Sequence, residues 1–222
     1  MKVLAFDCAG AQCAAAITVD GHVVASARIE AERGHARLLM PMLCGLLEGA
    51  NLAFTDIDRF AVTTGPGSFT GIRVALATAH GLSIGTGKPA IGITVFEALA
   101  AKAAAARAAQ AGIAAPRLLI AIESRRAECF AQLFDAEGRK LTEARILPPE
   151  SIAAWVGPGR IALAGDAAWR LTPYLADCVD GSIDIGMADP GIIANLSETR
   201  IPGPAPAPFY LRDADAIKLS DR

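Results

Sequence analysis

Three short apolar runs open the chain: "VLAFD", "CAAAITVD" and "HVVASARI". Their length and alternation predict strands, and Asp20-Gly21 between the second and third is a hairpin signal. The period then changes. From His35 to about Gly49, "HARLLMPMLCGLL" repeats its apolar residues every three to four positions, as a helix does. A strand "RFAVTTG", a glycine-rich loop, a helix from Gly71 to Ser83 and a strand "PAIGIT" follow. Thr94 with Glu97 three residues on forms a capping box, which opens an alanine-rich helix ending near Gly112 and Pro116.

The pattern then recurs. Sliding the sequence so that Asp7 falls on Glu123 lays "VLAFDCAGAQCAAAITVD" on "LIAIESRRAECFAQLFDA" and Cys13 on Cys129. One inserted residue at the turn brings Ala27-Arg28-Ile29 onto Ala144-Arg145-Ile146. The second copy continues with a helix "PESIAAWVG", a strand "RIALAG" and a helix "DAAWRLTPYLADC". It then degrades into "DPGIIANLSETR" and the proline-rich "IPGPAPAP", a semi-rigid extended stretch. The expectation is an α/β chain built by duplication, with residues 1–112 as a complete first domain and 113–222 as a shortened second one. Two such halves facing each other form a cleft, with an acid, Asp7 or Glu123, at the end of each first strand.

Composition narrows the function classes. Of 222 residues, 53% are apolar and 20% charged, a globular composition. A formal charge of −2 without a basic run argues against stand-alone nucleic-acid binding. The opening "MKVLAFDCAG" is a weak match to a signal peptide, because Asp7 interrupts its apolar run. The charge-free run from Val74 to Gly87 is too short and glycine-rich to span a bilayer. Five cysteines without a C-x-x-C pair read as packed thiols in a reducing compartment, so a cytoplasmic protein is expected.

Candidate chemistry is sparse. The three histidines, His22, His35 and His80, have no metal-ligand spacing, and no metal site is expected. No catalytic residue stands out. Ser68 in G-P-G-S-F-T-G is not a nucleophile elbow, because Pro66 fixes φ where that turn needs freedom. Gly65, Gly67, Ser68 and Gly71, with Asp7, are candidates for phosphate or nucleotide contact at a helix N-terminus. There is no Walker-type lysine, and the glycines serve a tight strand-to-helix turn equally well.

The two helices flanking that loop contrast. Leu38, Leu39, Met42, Leu43, Leu46 and Leu47 give the first an apolar face broad enough to suggest a second buried surface. In the next helix Gly71, Ala75 and Ala79 form one smooth row, and Ala77, Gly81 and Gly85 another. Rows of small residues let a neighbouring helix approach closely. The expected partner interface comprises His35, Leu38, Leu39, Met42, Leu43 and Leu46 with Gly71, Ala75, Leu76, Ala79 and Leu82.

These residues carry a family resemblance. Asp7-Cys8-Ala9-Gly10, "HARLLMPML", "TTGPGSFTGIRVALATAHGLS" followed by "KPAIGITVFEALA", "AIESRRAECF" and "FYLR" together resemble the TsaB (YeaZ) family over nearly the whole chain. The resemblance implies a duplicated ribonuclease-H-like fold of the actin-like ATPase (ASKHA) class with a truncated second domain. It also implies a non-catalytic subunit supporting TsaD, a paralogue that transfers a threonylcarbamoyl group to adenosine 37 of tRNAs reading codons that start with A. TsaD pairing runs through the first two helices, homodimers use the same surface, and TsaE is a further partner. On this reading tRNA is met only through the complex. The chain needs no cofactor of its own, and ATP or ADP enters at the level of the complex.

The metal-bearing paralogue has N-H-x-E-G-H where this sequence has "ITVFEAL", so Val95 and Leu99 stand at the histidine places. Isopropyl and isobutyl groups supply no lone pair, and peptidase chemistry is not expected. Cys8 replaces a hydroxyl usual in the family, and Glu123 stands where Asp is common. Both weaken the rival reading, a small ATP-dependent phosphotransferase using Asp7 and Glu123.

Overall fold

The structure, a computed structural model, describes residues 1–109 and 114–211. Its first sheet contains β1 (Lys2–Asp7), β2 (Gln12–Val19), β3 (His22–Glu30), β4 (Arg59–Thr63) and β5 (Ala90–Ile93) in the order β3-β2-β1-β4-β5. The first three strands pair antiparallel, and β1, β4 and β5 are parallel. Except for the largely exposed edge strand β3, the strands read as nearly unbroken apolar runs because both faces of the sheet are covered there. Leu4, Phe6, Phe60 and Val62 pack beneath α1 (His35–Gly49) and α2 (Phe69–Thr86). Val3, Ala5, Ala61 and Ile93 face the other way, against Ile193 and Ala194 of α6 (Pro190–Glu198).

The second sheet repeats the plan. It contains β6 (Arg117–Glu123), β7 (Cys129–Asp135), β8 (Arg145–Leu147), β9 (Ile161–Ala164) and β10 (Val179–Ile183) in the order β8-β7-β6-β9-β10. Leu119, Ala121 and Leu163 pack with Ile152 of α4 (Ile152–Val156) and Leu171 and Leu175 of α5 (Ala168–Leu175). Leu118, Ile120 and Phe134 join the core of the first half through Phe96, Leu99 and Ala103 of α3 (Val95–Ala109). The matching strand orders and senses make this a duplicated ribonuclease-H-like fold.

Several expectations shift. Helix α2 begins two residues before Gly71 and ends three after Ser83. Ser68 caps its N-terminus through Gly71 N–H, and Gly87, with φ of 71°, closes it in the left-handed region. The Thr94–Glu97 capping box forms, with Glu97 N–H on Thr94 Oγ1 and Thr94 N–H on Glu97 Oε2. The expected end of that helix near Gly112 lies outside the described residues.

Strand β10 was not legible: Asp180, Gly181 and Ser182 depress strand propensity, and parallel pairing with β9 decides instead. "DPGIIANLSE" is a well-formed helix, with Asp189 accepting from Gly191 and Ile192 N–H and Pro190 in the first turn. Although it follows the second half in sequence, α6 lies on the first sheet.

Candidate functional site

The C-terminal ends of β1 and β6 face a cleft of about 690 Å³ between the two sheets. Asp7, Ala9 and Gly10 line one side with Gly67, Ser68, Phe69 and Thr70; Glu123, Ser124, Arg125 and Asp166 line the other. Val95, Leu99, Ile122 and Phe130 add apolar surface. Val95 and Leu99 thus contribute hydrocarbon to the cleft wall. Among the described residues no group of three or more His, Cys, Asp or Glu side chains could hold a metal ion.

Both strand-end carboxylates are held by the chain itself. Asp7 is buried, its Oδ1 accepting from Ala9 N–H at 2.9 Å and Thr63 Oγ1–H at 2.5 Å. Gln12 Nε2 donates to Asp7 Oδ2 at 2.7 Å and to the Ala188 carbonyl at 2.9 Å. On the opposite side, Glu123 Oε1 accepts from Arg170 Nη1 and from Arg125 N–H. Arg170 also reaches the carbonyls of Ala127 and Glu128, so it closes the β6–β7 turn. Asp166 Oδ1 accepts from Glu123 N–H at 2.7 Å, and desolvation raises the Asp166 carboxyl above its ordinary pKa.

The glycine loop is closed on its neighbours. A Cβ on Gly67 would lie 2.3 Å from the Ala9 carbonyl oxygen, and one on Gly71 1.9 Å from that of Cys8. Ser68 N–H donates to Ala9 O, Val95 N–H to Gly65 O, and Gly71 N–H to Ser68 Oγ. Close approach to the β1–β2 turn therefore explains Gly67 and Gly71, whereas Gly65 lies against Ile72 and the Phe209 carbonyl. The residues expected at phosphate, Asp7, Gly65, Gly67, Ser68 and Gly71, do gather at one place. Their fit to a nucleotide phosphate is poor, because Asp7 and the Ser68 and Gly71 amides are already engaged within the chain.

The helix surface needs a larger correction. Of the expected interface, His35, Leu39, Met42, Leu43, Leu46, Gly71, Ala75, Leu76 and Ala79 are buried within the chain; only Leu38 and Leu82 are partly exposed. The broad apolar face of α1 is used up on the sheet, since Leu39 and Leu43 reach 0% exposure there. Open on α1 are Met40, Pro41, Cys44 and Gly45, together with Ala36, Arg37, Glu48 and Gly49 nearer its ends. On α2, besides Phe69, Thr70 and Arg73 in its first turns, the second smooth row lies open, Ala77, Gly81 and Gly85, with Ile84 at 86% exposure. A side chain at Gly45, Gly81 or Gly85 would meet nothing within 4 Å.

A strap beside that row had no clear sequence signal. Phe209 N–H donates to Thr64 O, and the Pro206 carbonyl lies 2.9 Å from His80 Nε2. Tyr210 stacks on Phe69 at 5.5 Å, its hydroxyl accepts from Arg73 Nε, and the Arg73 guanidinium lies over the Phe69 ring. Only the aromatic pair "FY" after the prolines could have hinted at an anchor.

Fold and cleft define the duplicated ribonuclease-H-like class, and comparison with known proteins narrows it. The family model described as TsaD, tRNA N6-adenosine threonylcarbamoyltransferase, matches residues 23–164, and the chain belongs to that family. It is 34% identical over 130 residues to the tRNA threonylcarbamoyladenosine biosynthesis protein TsaB of Escherichia coli, covering 59% of this chain and 53% of that protein. For TsaB of Haemophilus influenzae the identity is 33% over 100 residues, 45% of this chain and 42% of the other. The matched stretch thus spans about half the length of these relatives. A crystal structure from Pseudomonas aeruginosa, described as similar to peptidase YeaZ, superposes with a TM-score of 0.80 at 25% identity, covering 95% of this chain and 99% of that one. The TsaB (YeaZ) resemblance read from the sequence is thereby borne out. No helix among the described residues is long and apolar enough to cross a membrane.

Proposed function

We propose that this chain is a non-catalytic subunit that binds and supports a TsaD-type transferase in threonylcarbamoyl transfer to adenosine 37 of tRNA. The observation that carries the reading is the open row Ala77–Gly81–Gly85 on α2, with Gly45 likewise open on α1. Glycine inside an exposed helix costs up to about 1 kcal/mol relative to alanine. Among the described residues nothing crowds these positions, which suits a helix of another subunit packing against the bare backbone. The relatives named for threonylcarbamoyladenosine biosynthesis, and the family's transferase, supply the identity of that partner.

On this reading chemistry belongs to the complex. The chain requires no cofactor of its own, ATP or ADP acts at the level of the assembly, and tRNA is contacted through it. TsaE joins the same cytoplasmic system, and a homodimer forms over the helix surface when the partner is absent. The engagement of Asp7 and Glu123 by Thr63, Gln12 and Arg170 supports this over a self-sufficient phosphotransferase.

The test mixes the purified chain with the TsaD-type paralogue of the same organism and measures complex formation by size-exclusion chromatography and calorimetry. Ala77→Arg and Gly81→Arg should abolish the complex while circular dichroism and unfolding midpoint stay near those of the parent. Unchanged affinity in both variants overturns the docking assignment. Turnover of Mg-ATP by the isolated chain would favour the phosphotransferase.

A further inference from the structure

Cys8 and Cys13 meet inside the β1–β2 hairpin. The register pairs Asp7 with Ala14, so the next opposed pair is Cys8 with Cys13. Their sulfurs lie 3.7 Å apart, and both residues are at 0% exposure. A disulfide needs sulfurs about 2 Å apart and facing Cβ vectors. Continuing the register past Asp7 brings the two side chains together, and the sulfurs would have to close by about 1.7 Å to bond.

We propose that Cys8 and Cys13 form a redox-responsive dithiol that a hydroperoxide converts to an intrachain disulfide. The pair is asymmetric. The hydrogen bond between the thiols and burial push the Cys8 thiol far above its ordinary pKa, while that same bond lowers the pKa of Cys13. Either sulfur can accept in this contact, and Cys13 takes the role of first nucleophile in the proposed reaction.

Its thiolate attacks the peroxide oxygen, forming Cys13–SOH and releasing hydroxide, which takes up the thiol proton as water. The Cys8 sulfur then attacks the Cys13 sulfur, expelling the second hydroxide as water. Two thiols and one hydrogen peroxide give one disulfide and two waters. Ala9, Gly10 and Ala11 between the two cysteines form part of the cleft wall, whereas the sulfurs lie behind it, so peroxide reaches them when this turn opens.

Closure would tie the turn that carries the Asp7 cage to β2. Ser68 N–H bonds to Ala9 O in that turn, and Gly71 lies against Cys8 O, so the bridge also fixes the seat of the glycine loop. The pair is thus a modification site behind the cleft wall.

The test uses the full-length chain carrying Cys44→Ser, which removes the exposed thiol able to link two molecules. The reduced protein is treated with hydrogen peroxide, denatured, alkylated and digested with trypsin. Both cysteines fall in the peptide 3–28, with no Lys or Arg between them. The expected product is that peptide two hydrogens lighter, unalkylated, and returned to the doubly alkylated form by dithiothreitol. With Cys8→Ser, Cys13 should instead be trapped by dimedone as the sulfenic acid. Recovery of the doubly alkylated peptide from the oxidised Cys8/Cys13 protein, or a bridge from either residue to Cys129 or Cys178, overturns the proposal. That parent measurement decides even if Cys8→Ser fails to fold.

Discussion

Gly71 lies so close beneath Cys8 that a Cβ there would sit 1.9 Å from the Cys8 carbonyl oxygen. Backbone meets backbone at this point, so no side-chain rotation relieves the contact. Gly71→Ala should destabilise the fold by about 3 kcal/mol, the upper end of the overpacking range. Gly81→Ala, on the same helix but with open space above it, should stabilise the isolated chain by up to about 1 kcal/mol. Urea midpoints of the two variants check both signs. Equal effects would mean that α2 does not seat on the β1–β2 turn as described.

The two faces of α1 should separate stability from association. Leu39 is fully buried, and Leu39→Ala should cost about 2–5 kcal/mol. Cys44 is exposed, and Cys44→Arg should change stability by no more than about 0.5 kcal/mol while abolishing association with the TsaD-type partner. Thermal melts and an association assay on the same preparations measure the two effects. If Cys44→Arg leaves association intact, the open stripe of α1 is outside the contact.

The duplication was legible because Asp7 and Glu123 end equivalent strands, and the apolar runs between them keep their spacing. The capping box at Thr94 and the hairpin at Asp20-Gly21 were legible for the same reason: each is a local signal with a local cause. What failed was direction. Leu39, Met42 and Leu43 look alike whether they meet a sheet or a partner, and the sequence shows only that they avoid water. The open row was visible as Ala77–Gly81–Gly85, but nothing local distinguishes it from Gly71–Ala75–Ala79, which packs inward. Likewise the placement of α6 and of Phe209 depends on contacts far apart in the chain, which periodicity does not encode.

The strap should contribute to stability through Phe209 rather than Tyr210. Phe209 is partly buried against the main core and its amide bonds to Thr64 O, whereas Tyr210 is 43% exposed. Phe209→Ala should cost about 1–2 kcal/mol, below the range for a fully buried ring. Tyr210→Phe keeps the stack on Phe69 and loses only the bond from Arg73, so about 0.5 kcal/mol is expected. Denaturant midpoints resolve the two, and a larger effect at Tyr210 would reverse the assignment.

Asp7 offers the sharpest separation between a structural acid and a catalytic one. Each carboxylate oxygen faces donors: Ala9 N–H and Thr63 Oγ1–H at Oδ1, and Gln12 Nε2 at Oδ2. Asp7→Asn replaces one acceptor by an NH2 group. If that group faces Gln12, two donors oppose each other. Turning the Gln12 amide relieves this clash but removes the donor to Ala188 O and places carbonyl against carbonyl. Turning the introduced amide instead sets its NH2 against Ala9 N–H and Thr63. Every arrangement leaves a buried group unpaired, so a loss of about 1–3 kcal/mol is expected. A catalytic acid would behave differently: its amide would leave the unfolding midpoint unchanged while abolishing nucleotide turnover by the isolated chain. Measuring both on Asp7→Asn therefore decides between the two roles, and an unshifted midpoint would show that the cage is not what keeps this carboxylate in place.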